Sequence, residues 1–165
     1  MILKMDMMID FDSVSWQFLF KFLRKFGFSH QFTTLVMNNL SGAWFLILIN
    51  GHPYGFFQGG RGLKQGDPLS PLLFLLVSEA LSRGLNVLVS ATQLSPYALP
   101  RGCIPFSHLS FADDVVIFMQ GQRADITAFL NFLDLFQQGS GQRVNKKNSF
   151  FIVSSRCYAA RSQML

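Results

Sequence analysis

The stretch Ser107-His108-Leu109-Ser110-Phe111-Ala112-Asp113-Asp114-Val115-Val116-Ile117-Phe118-Met119 sets two adjacent carboxylates between apolar residues. Leu109 and Phe111 before the acids and Val115–Phe118 after them read as the arms of a hairpin, with Asp113-Asp114 at its tip. Two ionised carboxylates about 4 Å apart repel by roughly 4 kcal/mol at an intermediate dielectric, and desolvation adds to that cost. Such a pair belongs either at an exposed turn or on a cation. Taken alone, an Asp-Asp pair is most simply a solvated turn, so the rest of the chain decides between the two.

Upstream, the short apolar run Met1–Asp6 predicts a strand ending near Asp6. Asp12 or Ser13 is positioned to cap a helix whose Trp16, Leu19, Phe20 and Leu23 share one face and which Gly27 stops. A second helix is expected from a Ser29 cap through Phe32, Leu35, Val36 and Leu40 to Gly42. The period then changes. Trp44–Ile49 is a β-type run closed by Asn50-Gly51, a strong two-residue hairpin signal, with Tyr54–Gln58 as partner.

Gly59 to Pro68 reads as an ordered loop, and Ser70-Pro71 opens a long helix toward Val89, with Ser as cap and Pro in the first turn. Ala91–Arg101, with Pro96 and Pro100, reads as a connector. After the acidic hairpin a last helix is expected over Asp125–Gln137, and Gly139–Val153 as a turn plus an edge strand. This order of elements is an α+β pattern.

A chain of 165 residues fits one domain with a real core. Half of it is apolar and 19 residues are Phe, against only 14% charged, which is a heavy hydrophobic load for a chain without neighbours. No run reaches the roughly 18 uninterrupted apolar residues of a membrane span; Ala43–Ile49 and Pro71–Val77 are broken by Asn50, Gly51, Ser78, Glu79 and Arg83. No membrane partner is therefore expected. The N-terminus lacks the order of a secretory signal, so an intracellular location, nucleus or cytoplasm, is the expectation.

Cys103 and Cys157 are too few and too far apart for a zinc site or a disulfide framework. The net charge of +5 permits a nucleic-acid partner, with Lys21, Arg24 and Lys25, and Arg143, Lys146 and Lys147, as its local basic groups. His30, His52 and His108 have no partner at ligand or triad spacing and read as structural or surface residues.

If the acidic hairpin lies beside the first strand, Asp6 and Asp113 can face each other across neighbouring strands. Carboxylate oxygens of this type suit Mg²⁺ or Mn²⁺, which accept few protein ligands and leave positions for substrate phosphates. Two such ions about 3.5–4 Å apart activate an attacking hydroxyl and stabilise a leaving phosphate oxygen. Because adjacent strand residues point to opposite faces, Asp113 and Asp114 need not serve a metal equally.

Phe111-Ala112-Asp113-Asp114 resembles the signature box of reverse transcriptases. Lys4-Met5-Asp6 with Phe11-Asp12-Ser13-Val14-Ser15-Trp16 is similar to the first palm motif of the non-LTR (LINE-type) retrotransposon enzymes. Asn50-Gly51, Phe57 and Arg61-Gly62-Leu63-Lys64-Gln65-Gly66-Asp67-Pro68-Leu69-Ser70-Pro71 are similar to their second, the most specific match. Ser140-Gly141-Gln142-Arg143-Val144-Asn145 is similar to their fourth, so the resemblance spans about residues 4–153.

The resemblance implies a reverse-transcriptase palm over residues 1–153 and a tail over 154–165, an antiparallel sheet packed on helices with the fingers and thumb that would pack on it largely missing. It implies an RNA-directed DNA polymerase acting on an RNA template, a DNA primer and a deoxynucleoside triphosphate with two Mg²⁺ or Mn²⁺ ions. Asp6 and Asp113 are the implied metal ligands and catalytic acids, with Asp114 a supporting carboxylate. Phe11 falls where the family places an aromatic ring under the nucleotide sugar, able to exclude a 2′-hydroxyl; its plain reading is a core Phe.

Gln65-Gly66 matches the loop that contacts nucleotide and template, and reads otherwise as a tight loop before a helix. Two positions depart from the pattern: Asp10 replaces a small residue, and Asn148 stands where a Lys precedes Ser149, a role open to Lys146 or Lys147 on the pyrophosphate side. An RNA-templated RNA polymerase would favour an acid at Phe11 and a Gly before the acid pair. The reading of a different class is a non-catalytic remnant of a retrotransposon, with no polymerase activity.

Overall fold

Strand β1, Ile2–Met8, is the hub of an antiparallel sheet in the computed structural model, which describes residues 1–8, 11–97, 99, 102, 103, 106–111 and 113–153. The tail 154–165 and Asp10 lie outside those residues. The remaining elements are α1 (Trp16–Lys25), α2 (His30–Ser41), β2 (Trp44–Ile49), β3 (His52–Gln58), α3 (Ser70–Ser90), β4 (His108–Phe111), β5 (Asp114–Phe118), α4 (Arg123–Ser140), β6 (Arg143–Val144) and β7 (Phe150–Ile152). The trace separates into two units, residues 1–9, 81–137 and 143–165 in one and 10–80 with 138–142 in the other.

In the first unit the sheet runs β4-β5-β1-β6, with β7 also pairing β1. β1 extends past the expected end at Asp6 because Met7 and Met8 pair with Val144 and Arg143 of β6, a partner too short to show in the sequence. Strand alternation sorts the two faces. Met5, Met7, Val115 and Ile117 are buried on one, while Lys4, Asp6 and Asp114 sit half-buried on the other.

Leu81, Leu85 and Leu88 of α3 and Phe129, Leu133 and Phe136 of α4 complete this unit's core. α4 starts two residues before the expected Asp125. That carboxylate is buried, its Oδ2 accepting the N–H of Gln122 at 3.1 Å and its Oδ1 the N–H of Ser95 at 3.0 Å, so it caps the helix from inside its first turn.

In the second unit the cap of α1 is Ser15, not Asp12 or Ser13; its Oγ accepts the N–H of Phe18 at 3.3 Å. Phe11–Ser13 instead forms a 3-10 turn, and fully buried Val14 separates it from the helix. α1 ends at Gly27 as expected, with Gly27 N–H bonding Arg24 O at 3.1 Å and Phe28 N–H bonding Leu23 O at 3.2 Å. Ser29 caps α2, accepting the N–H of Phe32 at 3.2 Å.

Asn50 and Gly51 take φ values of 51° and 81°, the two-residue turn expected between β2 and β3, and every residue of both strands is exposed. At the start of α3 the cap is supplied by Asp67, whose Oδ1 accepts the N–H of Leu69 at 2.8 Å, while the Ser70 hydroxyl donates to Lys64 O at 2.7 Å.

α3 is the long helix expected from Ser70-Pro71, running 21 residues to Ser90, and by length and composition it is long and apolar enough to cross a membrane although no uninterrupted apolar run within it is. Its buried Leu73, Val77, Ala80, Leu81, Leu85 and Leu88 recur at helical spacing beside Glu79 and Arg83, the pattern of a core helix.

Candidate active site

β1 and β5 bring two of the three predicted acids to one face. Their antiparallel register sets Asp114, not the expected Asp113, directly opposite Asp6, and Phe111 opposite Asp114 on the other side, so Asp114 is a strand residue and Asp113 lies in the turn just before it. Asp113 joins the group through its backbone, its carbonyl accepting the N–H of Met7 at 2.8 Å. All three acids are half-buried.

Lys4, whose place no local sequence pattern indicates, completes the group. It lies two residues before Asp6 on the same face of β1, and its Nζ is 2.9 Å from Oδ1 of Asp114. The hydrogen bond it donates to Asp114 raises the Lys4 ammonium above its ordinary pKa; partial desolvation opposes this, and the charges of Asp114, Asp6 and Asp113 reinforce it. Among the described residues no three His, Cys, Asp or Glu side chains are grouped to hold a metal ion as they stand.

The backbone of Asp6 is clamped from the side opposite β5. β7 pairs β1 only as far as Lys4 and the pairing with β6 begins at Met7, so the ladder has a gap at Met5 and Asp6. The turn 145–149 fills it: Asn145 N–H donates to Asp6 O at 2.9 Å, and Asp6 N–H donates to Ser149 Oγ at 3.1 Å. Ser149 Oγ in turn donates to Asn145 O at 2.8 Å. Lys146 and Lys147 are exposed on this turn, and Asn148 N–H bonds Asn145 O at 3.2 Å. A Ser-Asn clamp of this kind carries no local sequence signal, because it depends on where β1 passes.

The predicted nucleotide-binding residues lie in the second unit. Phe11 is half-buried, its ring 5.1 Å from that of Phe74 and its carbonyl accepting Leu63 N–H at 2.7 Å. The loop 59–69 is tied at Gly62, whose N–H bonds Val14 O at 2.8 Å and whose carbonyl accepts the Trp16 indole N–H at 2.6 Å. Gly62 has φ +93°, and a Cβ there would stand 2.8 Å from Asp12 O.

Further along, Lys64 Nζ reaches Asn39 Oδ1 at 3.0 Å and Asn39 Nδ2 reaches Asp67 Oδ2 at 3.2 Å, so the loop is anchored to α2. The Leu69 N–H on its carboxylate holds Asp67 below the usual carboxylate range, against slight desolvation and with help from Asn39 and Lys64. Gln65 and Gly66 are exposed on this anchored loop, Gly66 at φ +84° with open space around it. Outside both groups, the His108 ring is held between Ser82 Oγ at 2.7 Å and Ser107 Oγ at 2.8 Å.

The family model described as reverse transcriptase (RNA-dependent DNA polymerase) matches residues 1–159. The chain is 30% identical over 154 residues to the Pol polyprotein of the type-2 retrotransposable element R2DM of Drosophila melanogaster, covering 92% of this chain and 13% of that protein. It is 28% identical over 116 residues to the Pol polyprotein of a type-1 retrotransposable element R2 of Popillia japonica, covering 70% of this chain and 18% of that protein.

Its fold is similar to telomerase from Candida tropicalis, solved with a fragment of telomeric RNA, with a TM-score of 0.68 at 15% identity over 92% of this chain and 25% of that one. The antiparallel sheet with its helices is thus the palm fold that the motifs imply. Sequence motifs, family model and retrotransposon relatives agree: the chain belongs to the reverse transcriptase family, in its non-LTR retrotransposon branch.

Proposed function

We propose that this chain is the palm of an RNA-directed DNA polymerase that extends a DNA primer on an RNA template from deoxynucleoside triphosphates. The observation that carries the reading is the register of Asp6 against Asp114, with Asp113 next in the chain, in a reverse transcriptase family member. The donor set fits a hard divalent ion: it consists of carboxylate oxygens, and an ammonium already occupies a cation position on one of them. Asp6, Asp113 and Asp114 would hold Mg²⁺ or Mn²⁺, which when bound supplies Lewis-acid activation of the primer hydroxyl and charge neutralisation on the departing pyrophosphate.

The chain's own residues position the reaction. The Asn145–Ser149 clamp fixes the backbone that carries Asp6, and the pairing with β1 and β4 fixes Asp114, so the acids are held before substrate arrives. Phe11 is the proposed floor for the deoxyribose, and Gln65 and Gly66 the proposed contacts to nucleotide and template. Lys146 and Lys147 are the proposed partners of the pyrophosphate.

Primer extension on poly(rA) with an oligo(dT) primer tests the reading. Incorporation by the wild-type chain that falls at least about a hundredfold in Asp6→Asn and Asp114→Asn, with Asp113→Asn run beside them, is the expected result, in line with the loss of charge stabilisation at a reacting centre. No incorporation above that of the variants would support the non-catalytic remnant instead.

A further inference from the structure

We propose that Lys4 is the resident counter-cation of the carboxylate site: a divalent ion must displace it from Asp114 to bind, so this lysine sets the site's affinity for divalent ions and holds the acids together when no metal is present. The inference rests on the metal-binding reading of Asp6 and Asp114 given above, and it assigns a role to a residue that reading does not use.

Like charges directly opposite on an antiparallel pair destabilise it. Asp6 and Asp114 are such a pair, and Asp113 follows immediately. Lys4 stands opposite Val116, so its side chain must cross the strand pair diagonally to meet Asp114, a reach open to long side chains. Solvent is an available alternative for it. Lys4 and Asp114 keep 34% and 39% of their side-chain surface exposed, and a lysine among Ile2, Val116 and Phe118 would ordinarily turn its ammonium outward. The ammonium instead lies 2.9 Å from Oδ1 of Asp114.

An ammonium and a metal ion make the same demand on that carboxylate, and their like charges repel when both sit on it, so they compete for it. Mg²⁺ binds carboxylate oxygen at about 2.0–2.1 Å and carries twice the charge, so its arrival repels Lys4 and takes its acceptor. The exchange is easy, since a partly exposed ion pair is weak. Lys4 is therefore a brake on metal binding and not a block. Its identity as lysine matters: a point charge with a single contact releases readily, whereas an arginine fork would hold the carboxylate in two places. Once displaced, the charge stays on the same face of β1, two residues from Asp6.

Mn²⁺ titration followed by electron paramagnetic resonance, which counts free ion without requiring activity, tests this on the wild-type chain, Lys4→Met, Lys4→Gln, Lys4→Arg and Asp114→Asn. The expected result is Mn²⁺ bound about two- to fivefold tighter by Lys4→Met and Lys4→Gln than by wild type, the range a partly exposed ion pair allows, and more weakly by Lys4→Arg. Both neutral variants also melt below wild type in the absence of Mn²⁺ and gain more from its addition. Should Asp114→Asn weaken Mn²⁺ binding while the neutral Lys4 variants match wild type, the metal reading stands and the role of Lys4 is overturned. Should neither the wild type nor any Lys4 variant bind Mn²⁺, both fall.

Discussion

Ser149→Ala removes one oxygen atom and unclasps Asp6. The Ser149 hydroxyl accepts the Asp6 N–H at 3.1 Å and donates to Asn145 O at 2.8 Å, at the point where neither β6 nor β7 pairs with β1. A neutral hydrogen bond contributes about 1 kcal/mol, and leaving a partly buried donor unsatisfied costs about 1–3 kcal/mol, so the substitution should destabilise the chain by about 2 kcal/mol. Asn145→Ala is the internal comparison. It keeps the backbone N–H that donates to Asp6 O and loses only the side-chain bond to the exposed Lys147 N–H at 3.2 Å, so it should cost about 0.5 kcal/mol. Urea unfolding gives both values, read as midpoint shifts at unchanged slope. Amide exchange localises the effect: the Asp6 N–H should exchange on the order of thirtyfold faster in Ser149→Ala, and Ser149→Thr should restore most of the protection. If Ser149→Ala proves no costlier than Asn145→Ala, water satisfies the Asp6 amide and the clamp is not what holds that strand.

Two further outcomes follow from the loop 59–69. Gly62→Ala and Gly66→Ala share a positive φ, but only the first drives a Cβ to 2.8 Å from Asp12 O; Gly66→Ala should cost about 1 kcal/mol of backbone strain and Gly62→Ala at least about 2 kcal/mol, measured by thermal melts. The Asp67 cap has a pH signature. Its folded pKa is depressed, so its contribution is complete above the ordinary value of 3.8 and is lost as pH falls through the lower folded value; Asp67→Asn, which keeps a capping oxygen, should flatten this acid limb of a melting-temperature profile while leaving stability near neutral pH almost unchanged.

Those features that rest on local chemistry were legible in the sequence. Ser29, Gly27 and Asn50-Gly51 each act within a few residues of themselves, and each does in the structure what its type and spacing imply. The cap of α1 falls at Ser15, beyond Asp12 and Ser13, because Phe11–Ser13 forms a turn held by the Leu63 N–H on Phe11 O, a partner distant in sequence. The same limit governs the site. The residue types Asp6, Asp113 and Asp114 were visible, but which acid of the doublet faces Asp6 is a matter of register, and a shift of one residue exchanges the faces. Lys4 and Ser149 acquire their roles only through that register and through the gap between β6 and β7, neither of which has a local pattern to read.

The β2–β3 hairpin has a consequence for handling the protein. Trp44-Phe45-Leu46-Ile47-Leu48-Ile49 is a six-residue segment with no charge, no Pro and no Gly, and it is exposed along its whole length. That composition is the signature of segments that template one another into stacked strands. The two sides of the ribbon are unequal, because Pro53 removes a donor from β3, Gly55 weakens it and the register shift between Phe45 and Ile47 puts the extra residue on β3, whereas β2 carries neither Pro nor Gly. Self-association should therefore grow from the β2 side, and a lysine placed at Leu46 or Leu48 would act as a gatekeeper that keeps concentrated samples dispersed.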